Sequence, residues 1–371
     1  MNKGKINILM SGGGTGGHIF PAIAIADALK KRLKDVEILF VGAKGRMEME
    51  KVPQSGYEIK GLWISGIQRK LDKRNLMFPF KLISSLLGAS RIVKSFKPDI
   101  AIGTGGYASG PLLFIASKRK VPTLILEQNS YPGITTKILA GTVNKICVAY
   151  DGMEKYFDKD KITVTGSPIR ELITNNKITQ IEARNFFELN EKSPVLLIIG
   201  GSQGALGINR AITANLNNIC SLGIQILWQT GMSSFTDASK AVEENALQKS
   251  VVVKEFISRM DMAYSAADIV VSRAGAIALA EIVAVEKPAI FIPLPSAAED
   301  HQTKNALTLV EGNAAVLVKE KEAVAELFEA IKQLIPGGKK SLELKKNIKK
   351  FKTPNATQSI VDEAIKLIEE K

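Results

Sequence analysis

The sequence predicts an α/β protein built from two Rossmann-like parallel-sheet domains that face each other across a cleft. Two observations carry that expectation: short runs rich in Val, Ile and Leu alternate with amphipathic helical patterns, and the alternation restarts near the middle of the chain. Strands that read as nearly continuous apolar runs between helices belong to parallel sheets covered on both faces.

Taken in order, "INILMS" reads as the first strand, "AIAIADALKKRLK" as the helix after it and "VEILFVGA" as the second strand. "KLISSLLGASRIVKSF" and "PLLFIASKRK" read as further helices, with "PDIAIGT", "PTLILEQN" and "KICVAY" as strands. After "KITVTGSPIR" the pattern begins again, because "PVLLIIGGSQGALGINRAI" repeats the opening in kind: strand, glycine-rich turn, helix. "IQILWQT", "VVVKEFI", "ADIVVSRAGAIALAEIVAV", "PAIFIPL" and "AAVLVK" complete the second half. The expected boundaries are 1–165 for an N-terminal domain, 166–345 for a C-terminal domain and 346–371 for a last helix that packs back on the first. With no low-complexity linker between the halves, ligands are expected in the crevice at the carboxyl ends of the strands.

The 371 residues are 45% hydrophobic and 23% charged, ordinary for a globular chain of a length that suits two domains. Cys147 and Cys220 stand far apart in apolar surroundings and read as buried reduced thiols, neither a metal spacing nor a disulfide framework. No stretch is apolar enough for a signal peptide or a bilayer crossing, so the expectation is a cytoplasmic chain. The net charge of +13 is uneven: residues 1–165 hold 26 Lys and Arg against 13 Asp and Glu, and the remainder holds 24 of each. A basic half of this kind suits a polyanionic partner.

Gly12, Gly14 and Gly17 satisfy G-x-G-x-x-G between a strand and a helix, the pattern of a dinucleotide-binding loop. The acidic residue that should bind the ribose at the end of the second strand is missing: that strand ends in Val41, Gly42, Ala43 and Lys44, and Glu37 stands at its wrong end. No Gly-Lys-Ser/Thr follows any loop, which excludes a Walker-type site. What the glycines do supply is close backbone approach at a helix N-terminus that carries partial positive charge. Four segments have this character: 12–17, 103–111, 200–205 and 272–281. Four such loops in one chain point to a diphosphate-bearing ligand.

Together, "GGTGGHIFPA", "GTGGYASGP", "EQNSYPG", "TGSPIR", "GGSQGA", "EFI", "SRAGA" and "DHQTKNA" make residues 8 to about 320 resemble the bacterial MurG family. The resemblance implies a GT-B fold and a metal-independent, inverting transfer of GlcNAc from UDP-GlcNAc, with no cofactor. The acceptor it implies is undecaprenyl-pyrophosphoryl-MurNAc-pentapeptide, so that lipid I becomes lipid II in peptidoglycan synthesis. Thr15, Gly16 and Gly17 match the family's first loop, facing sugar and pyrophosphate. His18 closes that loop, and an imidazole, which titrates near neutral pH, suits the base that deprotonates the acceptor 4-hydroxyl. Glu127 is a second candidate base beside Asn129, which matches a sugar-contacting asparagine. Gly14, Gly105, Gly106 and Tyr107 match the positions assigned to the acceptor diphosphate. In the second half, Arg170 and Ser202 match donor diphosphate contacts, Ile257 the residue whose backbone reads uracil, and Glu281 the ribose ligand. Ile277 and Ala278 begin the helix expected to hold the α-phosphate, and Gln302 matches a sugar contact. Two positions depart from the family pattern: Leu126 replaces a histidine, and Ala278 replaces a hydroxyl residue.

Residues 73–97 combine Leu76, Met77, Phe78, Phe80, Leu82, Ile83, Leu86 and Leu87 with Lys73, Arg74, Lys81, Arg91, Lys94 and Lys97. An anionic membrane surface is the partner expected there, on the inner face of the cell membrane, as an acceptor with a polyprenyl tail requires. Nucleic acid is not expected, since no recognition motif accompanies the charge. The residues alone leave three alternatives open: a transferase acting on a diacylglycerol-type glycolipid, a sugar-nucleotide epimerase, and a nucleotide-sugar sensor without catalysis.

Overall fold

The computed structural model of the protein describes residues 5–66, 76–174, 176–201 and 203–371. The chain divides into two compact units, Met1–Ile169 with Thr353–Lys371, and Arg170–Lys352. The crossings fall a few residues beyond the boundaries read from the sequence, and residues 346–352 go with the second unit.

The first unit runs β1 (Ile6–Ser11), α1 (Gly16–Arg32), β2 (Val36–Ala43), α2 (Glu48–Gln54), β3 (Glu58–Leu62), α3 (Phe78–Phe96), β4 (Ile100–Gly103), α4 (Ser109–Lys118), β5 (Thr123–Glu127), α5 (Ile134–Leu139), β6 (Lys145–Val148) and β7 (Ile162–Val164). Its seven strands are all parallel, in the order β3-β2-β1-β4-β5-β6-β7. Buried Leu9 sits between Leu39 of β2 and Ala101 of β4. One sheet face is covered by α3, α4 and α5, through residues such as Val93, Leu112 and Leu139. The other is covered by α1, through Ile19, Ile25 and Leu29, together with a helix from the end of the chain.

The second unit runs α6 (Glu171–Thr174), α7 (Gln180–Phe186), β8 (Val195–Ile199), α8 (Leu206–Ser221), β9 (Gln225–Gln229), α9 (Met232–Glu244), β10 (Val251–Lys254), α10 (Met260–Ala266), β11 (Ile269–Ser272), α11 (Ala276–Ala284), β12 (Ala289–Phe291), α12 (His301–Glu311), β13 (Val316–Leu317), α13 (Ala323–Gln333) and α14 (Lys339–Ile348). The strands are parallel in the order β10-β9-β8-β11-β12-β13. Trp228 of β9 is fully buried in the core under α8 and donates its indole N–H to Asn209 at 3.1 Å. In both sheets the order reverses at one place, between β1 and β4 and between β8 and β11, which is where an open α/β sheet leaves a crevice at its carboxyl edge.

The last helix, α15 (Ala356–Glu369), buries Ile360, Val361, Ala364 and Ile368 against the first sheet. Glu363 adds an ion pair to Lys145 at 3.7 Å. Removing most of the fully buried Ile360 side chain leaves a cavity under this helix. Ile360→Ala is expected to lower the unfolding free energy by about 2–5 kcal/mol in denaturant titration. Leu342→Ala, on the exposed face of α14, is expected to change it by less than about 0.5 kcal/mol.

Candidate active site

At the carboxyl edge of the first sheet the loops leaving β1 and β4 interlock. Gly13 donates its N–H to the Gly105 carbonyl at 3.2 Å, and Thr104 donates to the Ser11 carbonyl at 2.8 Å. The approach excludes side chains: a Cβ on Gly106 would lie 2.4 Å from the Gly13 carbonyl oxygen. Gly105 and Gly106 also take φ of +110° and +91°, a region open to glycine.

His18, in the first turn of α1, lays its ring against Gly105, where a Cβ would stand 2.8 Å from Nε2. Its Nδ1 is 2.9 Å from the Gly13 carbonyl oxygen. A carbonyl oxygen only accepts, so Nδ1 carries the proton and Nε2 of the neutral ring keeps its lone pair. Thr104 Oγ1 donates to the His18 carbonyl at 2.6 Å and holds the backbone behind the ring. Thr15 is the N-cap of α1, and its hydroxyl makes no capping bond. That hydroxyl and the first-turn amides of Gly16 and Gly17 therefore stand at the positive end of the helix.

Glu127, at the end of β5, is 4% exposed and fully engaged. Its Oε1 accepts from the N–H and Nδ2 of Asn129, both at 3.0 Å, and its Oε2 accepts from the Gly133 N–H at 3.0 Å. The carboxylate shapes the loop and aims Asn129. Tyr107 keeps 44% of its surface exposed, with its ring against Gly66. Gly14 has its N–H taken by Glu48 at 2.9 Å, so that amide is not directed at a ligand.

In the second unit, Arg170 grips Glu281 through two bonds, Nε to Oε1 at 2.7 Å and Nη2 to Oε2 at 2.8 Å. Tyr264 adds its hydroxyl to Oε2 at 3.2 Å. Glu281 is 2% exposed and lies in the second turn of α11. Burial opposes the charge of Arg170, but the bonds and charge of Glu281 outweigh it and hold the guanidinium protonated above its usual range. Burial first, then the charge of Glu281, pushes the Tyr264 hydroxyl well above the ordinary range of tyrosine, so it remains a donor. Ile277 and Ala278 occupy the first turn of α11 behind its N-cap, Gly275. Ile257 is buried, and its N–H donates to Gln229 Oε1 at 2.8 Å. Gln229 Nε2 in turn donates to the Gly201 carbonyl at 2.9 Å, tying the loop after β8 to the segment after β10. Gln302 begins α12 and accepts from the Leu294 N–H at 2.9 Å. Ser202 lies outside the described residues.

The description "Glycosyltransferase family 28 N-terminal domain" matches residues 8–148, and "Glycosyltransferase family 28 C-terminal domain" matches residues 195–360. A relative from Flavobacterium psychrophilum is 50% identical over 98% of each chain, and one from Christiangramia forsetii is 48% identical over 100% of each. Both bear the name UDP-N-acetylglucosamine–N-acetylmuramyl-(pentapeptide) pyrophosphoryl-undecaprenol N-acetylglucosamine transferase. The chain belongs to the MurG family. A crystal structure of Acinetobacter baumannii MurG superposes with a TM-score of 0.77 at 27% identity, covering 99% of this chain and 100% of that one. Membership makes the protein a glycosyltransferase of GT-B fold.

Read as a MurG-family protein, the first unit brings Thr15, Gly16, Gly17, His18, Gly105 and Gly106 to one sheet edge. Three buried residues that organise these sites carry no motif: Glu48, Gln229 and Tyr264. The one Asp-x-Asp in the sequence, Asp158-Lys159-Asp160, forms an exposed turn at the amino end of β7. There Asp158 accepts from the Asp160 N–H at 3.1 Å, and the sheet edge with the glycine loops is the opposite one. Because Gly105 is filled by the imidazole, Gly105→Ala is expected to displace His18 and lower kcat by about 10²-fold. UDP affinity, measured by calorimetry, is expected to stay within about twofold, since the displaced ring belongs to the first unit, whereas Arg170 and Glu281 belong to the second.

Proposed function

We propose that the protein transfers GlcNAc from UDP-GlcNAc to the 4-hydroxyl of MurNAc in undecaprenyl-pyrophosphoryl-MurNAc-pentapeptide, converting lipid I to lipid II. The observation that carries this reading is the Nδ1 bond of His18 to Gly13, which leaves Nε2 as the lone pair that removes the acceptor proton. The names of the two close relatives supply the substrates. Glu127, with both oxygens engaged, acts by holding Asn129 toward the sugar.

On the donor side, ribose hydroxyls compete with Arg170 for the two oxygens of Glu281. Their arrival exchanges an ion pair for hydroxyl bonds and frees the guanidinium to oppose diphosphate charge. The N-terminus of α11, with the amides of Ile277 and Ala278, and the loop carrying Ser202 complete the anion site. Since the Ile257 N–H is occupied, the carbonyl of that residue is left to read the uracil N–H. Leaving-group charge is then met by fixed dipoles and Arg170, with no metal required. Gln302 contributes its side-chain amide to the sugar hydroxyls. On the acceptor side, Gly105, Gly106 and Tyr107 face the diphosphate.

Phe80, Ile83 and Leu87 form an exposed stripe on α3, opposite the buried Ser85, Ala89 and Val93, and Leu76 and Met77 extend it. Arg91, Lys94 and Lys97 lie along the same helix and its end. Lys73, Arg74 and Asn75 fall outside the described residues, and among the described residues no helix is long and apolar enough to cross a membrane. The reading is peripheral attachment to anionic lipid on the inner face of the cell membrane.

Pure protein with radiolabelled UDP-GlcNAc, a short-chain lipid I analogue and EDTA is expected to label the lipid, and His18→Ala to lower that rate by about 10²–10⁴-fold. Labelling that needs added divalent metal, or a His18→Ala protein of full activity, contradicts the mechanism. In sedimentation with vesicles containing phosphatidylglycerol, Phe80→Glu with Ile83→Glu is expected to weaken binding at least about tenfold, while activity on a soluble acceptor persists.

A further inference from the structure

The peptide between Gly13 and Gly14 has both of its polar groups engaged. Its carbonyl oxygen accepts from His18 Nδ1 at 2.9 Å, and its N–H donates to Glu48 Oε2 at 2.9 Å. In a trans peptide these groups point to opposite sides, so Glu48 and His18 are joined in line through one rigid, polarisable unit. Glu48 is 1% exposed, and its other oxygen accepts from the Ala43 N–H at 3.0 Å. A Cβ on Gly13 would stand 2.2 Å from Oε1, and one on Gly42 would stand 2.6 Å from Cγ, so two glycines are needed to admit this side chain. A carboxylate buried this far from water is tolerated only when its oxygens are hydrogen-bonded, and here they are met by backbone amides.

We propose that Glu48 is a positioning residue for the base: its charge polarises the Gly13–Gly14 peptide, strengthens the carbonyl as an acceptor from Nδ1, and so fixes the tautomer and raises the basicity of Nε2 in His18. The arrangement places a carboxylate behind an imidazole at one peptide's remove, and hydrogen bonds in such chains strengthen one another. Among the described residues packed about His18, competing charges are few. β1 carries none, and α1 carries none before Asp27, which accepts from Tyr57 at 2.5 Å. The loop after β4 offers Tyr107. Glu127 on β5 is held by Asn129 and Gly133, and on α2 Glu50 and Lys51 pair with each other at 3.3 Å. Lys44 and Arg46 belong to the segment before α2.

The inference rests on His18 being the base of the transfer, so its test includes a measurement on substrate-free protein. Glu48→Gln removes the charge and turns an amide group toward one of the two N–H donors. Three results are expected. First, kcat falls about 10- to 100-fold with both KM values within about threefold. Second, the acid limb of the pH–rate profile moves to lower pH, because a weaker base sheds its proton sooner. Third, ¹⁵N spectra of the imidazole lose their predominance of the Nδ1–H form; with only His18 and His301 in the chain, the signal is assignable through His18→Ala. An unmoved acid limb with an unchanged tautomer, whatever happens to kcat, overturns the proposal and leaves Glu48 a loop anchor. If Glu48→Gln does not fold, Glu48→Asp, which keeps the charge but withdraws it by one methylene, is read by the same limb and spectra. Should the wild-type protein transfer nothing to lipid I, the tautomer comparison still decides the role of Glu48.

Discussion

The first unit's site depends on one close contact, the packing of the loop after β1 against the loop after β4. Adjacent parallel strands bring these loops together, and glycine at 13, 105 and 106 lets backbone meet backbone. The same contact shapes the slot that the imidazole of His18 fills, so the absence of a side chain at Gly105 is as much part of the site as the histidine. A loop that elsewhere would cradle a dinucleotide here also orients an imidazole. The helix N-terminus beside it remains at hand for an anion.

The second unit meets a different constraint. Arg170 and Glu281 satisfy each other through two bonds, and Tyr264 adds its hydroxyl to Glu281. A buried carboxylate left alone would be costly, and the guanidinium offsets that cost. Gln229 does the same for the backbone, joining the Gly201 carbonyl to the Ile257 N–H. In the proposed function, donor recognition is an exchange of partners among these groups.

Much of this was legible in the sequence, because its signals are local. The apolar runs became strands of two parallel sheets, and each glycine-rich turn fell at a strand's carboxyl end, as β1 with Gly12–Gly17 and β8 with Gly200–Gly204 illustrate. The side chains that make the loops into sites were not legible. Glu48 looks like an ordinary helix-start glutamate, and its meeting with Gly14, 34 residues away, follows only from the crossing of β2 beside β1. Gln229 and Tyr264 likewise act through partners distant in sequence. Glu127 read as a possible base because a carboxylate beside an asparagine carries no mark of how many amides will claim it. Asp158-Lys159-Asp160 matches a metal motif, and only its place at the amino end of β7 separates it from the glycine loops.

In the proposed function one loop-held imidazole serves a single direct displacement at the anomeric carbon, with no enzyme nucleophile between donor and acceptor. The anomeric configuration of the product, read from the proton coupling at C1 of the transferred GlcNAc, decides this. A single displacement from the α-linked donor predicts a β-linkage in all of the product. An α-linkage would require a second displacement by an enzyme nucleophile and would exclude the single displacement.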